Sequence, residues 1–134
     1  MSAKQIVQEF CDKMVGRDAE AVRSYLDPEV VYQNVGQPSV SGVDSVVQNL
    51  AAQFAQFPDS YEYKTINVTA EGDVVLTERL DYVKGPDGIV HGLPVMGAFV
   101  VRDDKIVRWT DYWDTGLIAK MMSGEDYSAL VPQN

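Results

Sequence analysis

Cysteine and histidine are almost missing from this chain of 134 residues, which has one of each, Cys11 and His91. A lone cysteine excludes a disulfide within the chain and any cysteine-rich metal framework. Packing inside a helix is the role expected of it. His91 has no companions at ligand spacing, so a hydrogen-bonded structural role is expected and no metal site. No apolar run approaches the roughly 20 residues of a membrane span. The first twenty residues interleave charges with apolar side chains, unlike a secretory leader. Positive charge is scarce as well: 11 Lys and Arg stand against 20 Asp and Glu, a formal net charge of -9. A nucleic-acid backbone would be repelled. G-x-S-x-G, Walker and dinucleotide motifs are lacking, so covalent serine hydrolysis, ATP use and NAD use have no support. No cofactor is expected, and the chain reads as cytoplasmic.

What is present describes a globular protein, 46% apolar and 23% charged, with enough chain for one domain over residues 1–134. Ile6, Phe10 and Met14, with Val7 and Val15 beside them, recur at helical spacing up to Gly16. Asp18 is a candidate N-cap for a second short helix that stops before Pro28, and the two helices make a hairpin. A strand follows between Pro28 and Gly36. Ser41 is the candidate cap of a third helix bearing Val43, Val46, Val47, Leu50, Phe54 and Phe57. From Tyr61 the texture changes to four β-prone runs separated by EGD, KGPDG and RDD, links short enough for an antiparallel meander. Leu117, Ile118, Met121 and Met122 suit a last helix before a polar end. Helices first and a curved sheet afterwards make an α+β domain with a concave face for a small ligand.

Strand parity singles out polar residues. On the last strand Val107, Trp109, Asp111 and Trp113 share the greasy face, so Asp111 is expected to be buried and in need of a partner. Arg79 and Asp81 share a face with Val75, Thr77 and Val83, but the opposite face is apolar too, and alternation leaves the inward side open. As an exposed ion pair they would contribute only about 0 to 1 kcal/mol. An arginine from a nearby strand would nonetheless be the natural partner of a buried Asp111. Tyr32 and Asn34 share a strand face with Val30.

Taken together, Tyr32-Gln33-Asn34, Thr77-Glu78-Arg79-Leu80-Asp81, Leu93-Pro94-Val95-Met96-Gly97-Ala98-Phe99 and Trp109-Thr110-Asp111-Tyr112-Trp113-Asp114 resemble the signature of the limonene-1,2-epoxide hydrolases. The resemblance implies a cone of the nuclear-transport-factor-2-like, SnoaL-like type. N-terminal helices would pack on a strongly curved, mixed, mostly antiparallel sheet around a deep apolar pocket, usually in a homodimer. It also implies roles. Asp111 would be the general base for a water held by Tyr32 and Asn34, Asp81 the protonated acid, and Arg79 the bridge between the acids. Trp109 would stand beside the base, with its indole N–H on a carboxylate such as Asp81. Leu93, Val95, Met96 and Phe99, then Trp113, Leu117, Ile118, Met121 and Met122, are candidates for an apolar wall around a small epoxide. Thr110 stands where some relatives have arginine and is expected to face outward; Trp113 stands where phenylalanine is common. Two alternatives use the same fold: an isomerase or cyclase acting on a ketone, and a non-catalytic ligand-binding module.

Overall fold

The computed structural model describes residues 1–132; Gln133 and Asn134, the polar end, lie outside the described residues. Ser2 opens the first helix, α1 (Ala3–Asp12), with a reciprocal cap: its hydroxyl accepts from Gln5 N at 3.1 Å while Gln5 Oε1 accepts from Ser2 N at 2.9 Å. Ile6, Val7, Phe10 and Cys11 form its buried face. A 3-10 turn over Lys13–Gly16 follows. The tighter winding keeps Met14 inside and turns Val15 out, 61% exposed, against the expectation from helical spacing. Asp18 caps α2 (Ala19–Val22) by accepting from Glu20 N.

The first strand, β1 (Leu26–Asn34), starts earlier than Pro28 would suggest. Its pairing with the last strand is irregular between Leu26 and Val31, so the missing N–H of Pro28 interrupts no regular ladder. Ser41 belongs to a two-residue strand, β2 (Val40–Ser41), paired with β1, and Gly42, not Ser41, occupies the N-cap of α3 (Val43–Gln56). Gly42 sits at φ 89°, a conformation open to glycine and strained for other residues. Val46, Val47, Leu50 and Phe54 face inward from α3, and Phe57 follows before Pro58.

The four remaining strands are β3 (Tyr61–Glu71), β4 (Val74–Lys84), β5 (Val90–Arg102) and β6 (Lys105–Tyr112), and α4 (Gly116–Ser123) closes the chain of main elements. The six strands make one curled, unclosed sheet in the order β2-β1-β6-β5-β4-β3. All neighbours are antiparallel except β1 and β6, which run parallel. The sheet is therefore mixed. A register shift between β5 and β6 adds Val107 as an extra residue, so Ile106 instead of Val107 shares the buried face with Trp109. The helix α1 lies against β3, β4, β5 and β6, and α3 against β1. Phe10 from α1 meets the Trp109 ring edge-on at 5.0 Å, and Phe99 stacks on it at 6.1 Å. Among the described residues, no helix is long and apolar enough to cross a membrane.

Candidate active site

Parity on β4 resolves inward for Val75, Thr77, Arg79, Asp81 and Val83, while Val74, Leu76 and Glu78 are exposed. Arg79 is thus a cation inside the protein, 1% exposed. Its neighbours account for that. Nε and Nη2 donate to the two oxygens of Asp81 at 3.0 and 2.9 Å, and Nη1 and Nη2 donate to the two oxygens of Asp111, both at 3.1 Å. The second Nη1–H reaches Thr77 Oγ1 at 3.4 Å. Every one of the five guanidinium N–H groups has an acceptor, the condition for burying such a fork. Below, the Tyr63 ring lies 4.2 Å from the guanidinium carbon, a cation–π contact of about 0.5 to 2 kcal/mol. Space for the fork comes from Gly97 on β5, which faces Thr77 on one side and Asp111 on the other. A Cβ there would fall 2.4 Å from Arg79 Nη1.

The two acids differ in surroundings. Asp111, 2% exposed, accepts from Arg79 twice and from Trp109 Nε1 at 3.0 Å. Trp109 therefore serves Asp111 and not Asp81, as i and i+2 on one strand allow. Asp111 thus accepts three N–H bonds, against two at Asp81. Asp81 retains 15% side-chain exposure at the cavity. Burial, with a further push from the charge of Asp111, raises its carboxyl to about 6 even though Arg79 pulls the other way. Burial also works to discharge Arg79, but Asp111 and Asp81 more than offset it and drive its pKa up. The cation is permanent.

Both carboxylates open on one cavity of about 310 Å³ on the concave side, with Arg79 behind them. That volume is at the small end of ligand pockets. A larger depression, about 990 Å³, lies against the outer surface near His91 and holds none of these groups. Tyr32 stacks on Trp109 with ring centres 3.9 Å apart and shares the cavity wall with Asn34. Asn34 Nδ2 donates to the Tyr32 oxygen at 2.9 Å, and Trp113 Nε1 donates to Asn34 Oδ1 at 2.9 Å. Parallel pairing of β1 with β6 sets Tyr32 beside Trp109 and Asn34 beside Asp111.

The apolar wall is less extensive than the sequence suggests. Leu93, Val95, Trp113 and Ile118 line the cavity with Phe57 and Val83, yet Gln37, Gln53, Gln56, Tyr61 and Thr115 line it too, which makes its walls mixed. Met96 lies on the outer side of the sheet, 48% exposed, because strand parity opposes it to Leu93, Val95 and Phe99. Phe99, Trp109, Leu117 and Met121 are core behind the cavity and do not line it. On α4, Leu117 and Met121 share one face by i, i+4 spacing, and Ile118 is turned toward the cavity. Met122 is exposed. Thr110 is buried at 4% exposure, with its hydroxyl accepting from Arg108. His91 is hydrogen-bonded between Tyr127 at 2.8 Å and Asp87 at 3.2 Å and does not line the cavity. Cys11 is fully buried, and burial lifts its thiol to about 12, which keeps it unreactive.

Gln53, Tyr61 and Tyr63 escape sequence reasoning. The signal for the tyrosines was available, since Tyr61, Tyr63 and the register partner Asp81 follow from pairing β3 with β4. Gln53 gave none beyond its place at the edge of the α3 apolar stripe.

Residues 1–123 match the family model of the limonene-1,2-epoxide hydrolase catalytic domain. The chain belongs to the limonene-1,2-epoxide hydrolase family. It is an epoxide hydrolase. Epoxide hydrolase EphG of Mycobacterium tuberculosis (strain ATCC 25618 / H37Rv) is 31% identical over 109 residues, covering 81% of this chain and 70% of that protein. The structure of an M. tuberculosis LEH-like epoxide hydrolase superposes with a TM-score of 0.75 at 27% identity, covering 98% of this chain and 96% of the other. A SnoaL-like protein from Jannaschia sp. CCS1 superposes with a TM-score of 0.79 at 20% identity, over 92% and 93% of the two chains, a likeness of fold alone.

Proposed function

We propose that this protein, as a single domain over residues 1–134, hydrolyses small cyclic or terpene epoxides to vicinal diols in one step. One observation carries the reading: a charged arginine is buried between two aspartates that open on the same cavity. Ring strain drives epoxide opening, but water is a weak nucleophile and an alkoxide a poor leaving group. Acid and base must act together.

Asp111, the acceptor of three N–H groups, takes a proton from a water held by Tyr32 and Asn34 as that water attacks an epoxide carbon. The carbon–oxygen bond breaks, and Asp81 gives its proton to the departing oxygen. The raised carboxyl of Asp81 supports the acid role, because a pKa of about 6 retains a useful protonated fraction near neutral pH. Arg79 keeps the two acids in register and balances the one negative charge beside it. Proton return from Asp111 to Asp81 resets the site. A ketone isomerase or cyclase does not need an arginine between two carboxylates.

The apolar part of the wall, Phe57, Val83, Leu93, Val95, Trp113 and Ile118, supports a substrate with an apolar body. Acidic charge and the single cysteine support a cytoplasmic protein, and exposed Leu76, Met96 and Tyr112 on the outer sheet face support a homodimer. The test is to offer limonene oxide and cyclohexene oxide and to measure diol. Diol is expected, with loss of at least about 100-fold in Asp111→Asn and Asp81→Asn. In a single turnover in heavy-oxygen water, label is expected in the diol; label appearing first in an aspartate would replace direct attack by an ester intermediate.

A further inference from the structure

The Tyr32 hydroxyl has a partner on α3 that none of the strand motifs suggests. We infer that Gln53 is a positioning residue for hydrolysis: by donating its Nε2–H to the Tyr32 oxygen, it leaves the Tyr32 proton free for water in the cavity. This rests on the reading of Tyr32 as a water-holding group.

A phenol oxygen accepts two hydrogen bonds and donates one. Asn34 Nδ2 occupies one acceptor position at 2.9 Å, and Gln53 Nε2 the other at 3.3 Å. Among the described residues these are the hydrogen bonds at the Tyr32 oxygen, and it accepts both. Its own proton is unspent beside the cavity it lines. An amide turned end for end would reverse this, because Gln53 Oε1 against Tyr32 would draw that proton out of the cavity. Two neighbours are matched by the present orientation. Tyr61 donates to Gln53 Oε1 at 2.7 Å, and Asn49 Oδ1 accepts from Gln53 Nε2 at 2.7 Å. Asn49 and Gln53 are one helical turn apart, so α3 presents them together. Asn34 is held the same way round by Trp113, whose indole can only donate. Burial, reinforced by Asp111, raises the Tyr32 phenol to about 12, so it holds the proton that the amides leave available.

The test is a double-mutant cycle on kcat and KM with cyclohexene oxide, using the wild type, Gln53→Met, Tyr32→Phe and the double variant. Loss of one neutral hydrogen bond should lower kcat about 3- to 10-fold in Gln53→Met. KM should change by less than about two-fold, and Gln53→Met should cost nothing further once Tyr32 is Phe. An equal loss of kcat in both backgrounds, or a rise in KM with kcat unchanged, would overturn the inference. Gln53→Glu keeps the shape and reverses the polarity, and the same cycle with it decides the matter if Gln53→Met does not fold. Failure of the parent reading looks different: the wild type then yields no diol, or Tyr32→Phe keeps full kcat.

Discussion

Replacing Asp81 by asparagine should change the pH dependence of stability in a direction fixed by the site. In the folded chain the Asp81 carboxyl is held at about 6, against an ordinary 3.8. The folded state therefore binds this proton more tightly than the unfolded chain does. Its contribution to stability is fully present below about pH 4 and is lost as the pH rises through about 6. Two units at about 1.4 kcal/mol each amount to about 3 kcal/mol. About half of that falls between pH 5 and pH 8. Asparagine fits the same site without titrating, so the variant should gain on the wild type by that amount as the pH is raised. Urea unfolding of both proteins at pH 5, 6, 7 and 8 measures the difference, with the slope checked for constancy. A difference that stays flat, or that moves in favour of the wild type with rising pH, would refute the raised carboxyl. The acid role would go with it.

Catalysis should show the same group with its own sign. With Asp81 as the proposed acid, acting with its proton on, kcat should fall about tenfold per unit as the pH rises beyond about 6, a limb read from initial rates of diol formation. Gly97→Ala should place a methyl group 2.4 Å from Arg79 Nη1 and 2.7 Å from Thr77 Oγ1. Overpacking of this kind costs about 1 to 3 kcal/mol in stability, and displacement of the fork by about 1 Å should lower kcat by about 100-fold. Thermal melting and diol assays on one preparation would check both.

The meander was legible because each run from Tyr61 to Tyr112 is rich in β-branched and aromatic residues and is bounded by links that permit only neighbouring strands. Asp111 was legible as a buried acid because two tryptophans flank it at strand parity, and a lone buried carboxylate demands a counter-charge. The inward direction of Arg79 was not, since both faces of β4 carry apolar residues and only the curl of the sheet decides between them. Met96 failed by a rule already visible: it alternates with Val95 and cannot share its wall. Ser41 failed as a cap because its backbone is engaged with Val31 in β2, which transfers the cap to Gly42. Gln53 could not be read at all, since a polar residue at the edge of an apolar helical stripe looks solvated until a tyrosine from another element is set against it.

In the proposed mechanism, burial and the division into acid and base have one origin. Two ionised aspartates around one arginine would leave a net negative charge out of water, an arrangement that costs several kcal/mol when the surroundings are apolar. Keeping a proton on one acid removes the excess charge. Asp111 accepts three N–H bonds, whereas burial, with a smaller push from the charge of Asp111, raises the Asp81 carboxyl. Trp109 thus does more than pack. Its indole N–H is the third donor to Asp111, and Phe10, Phe99 and Tyr32 pack around the ring.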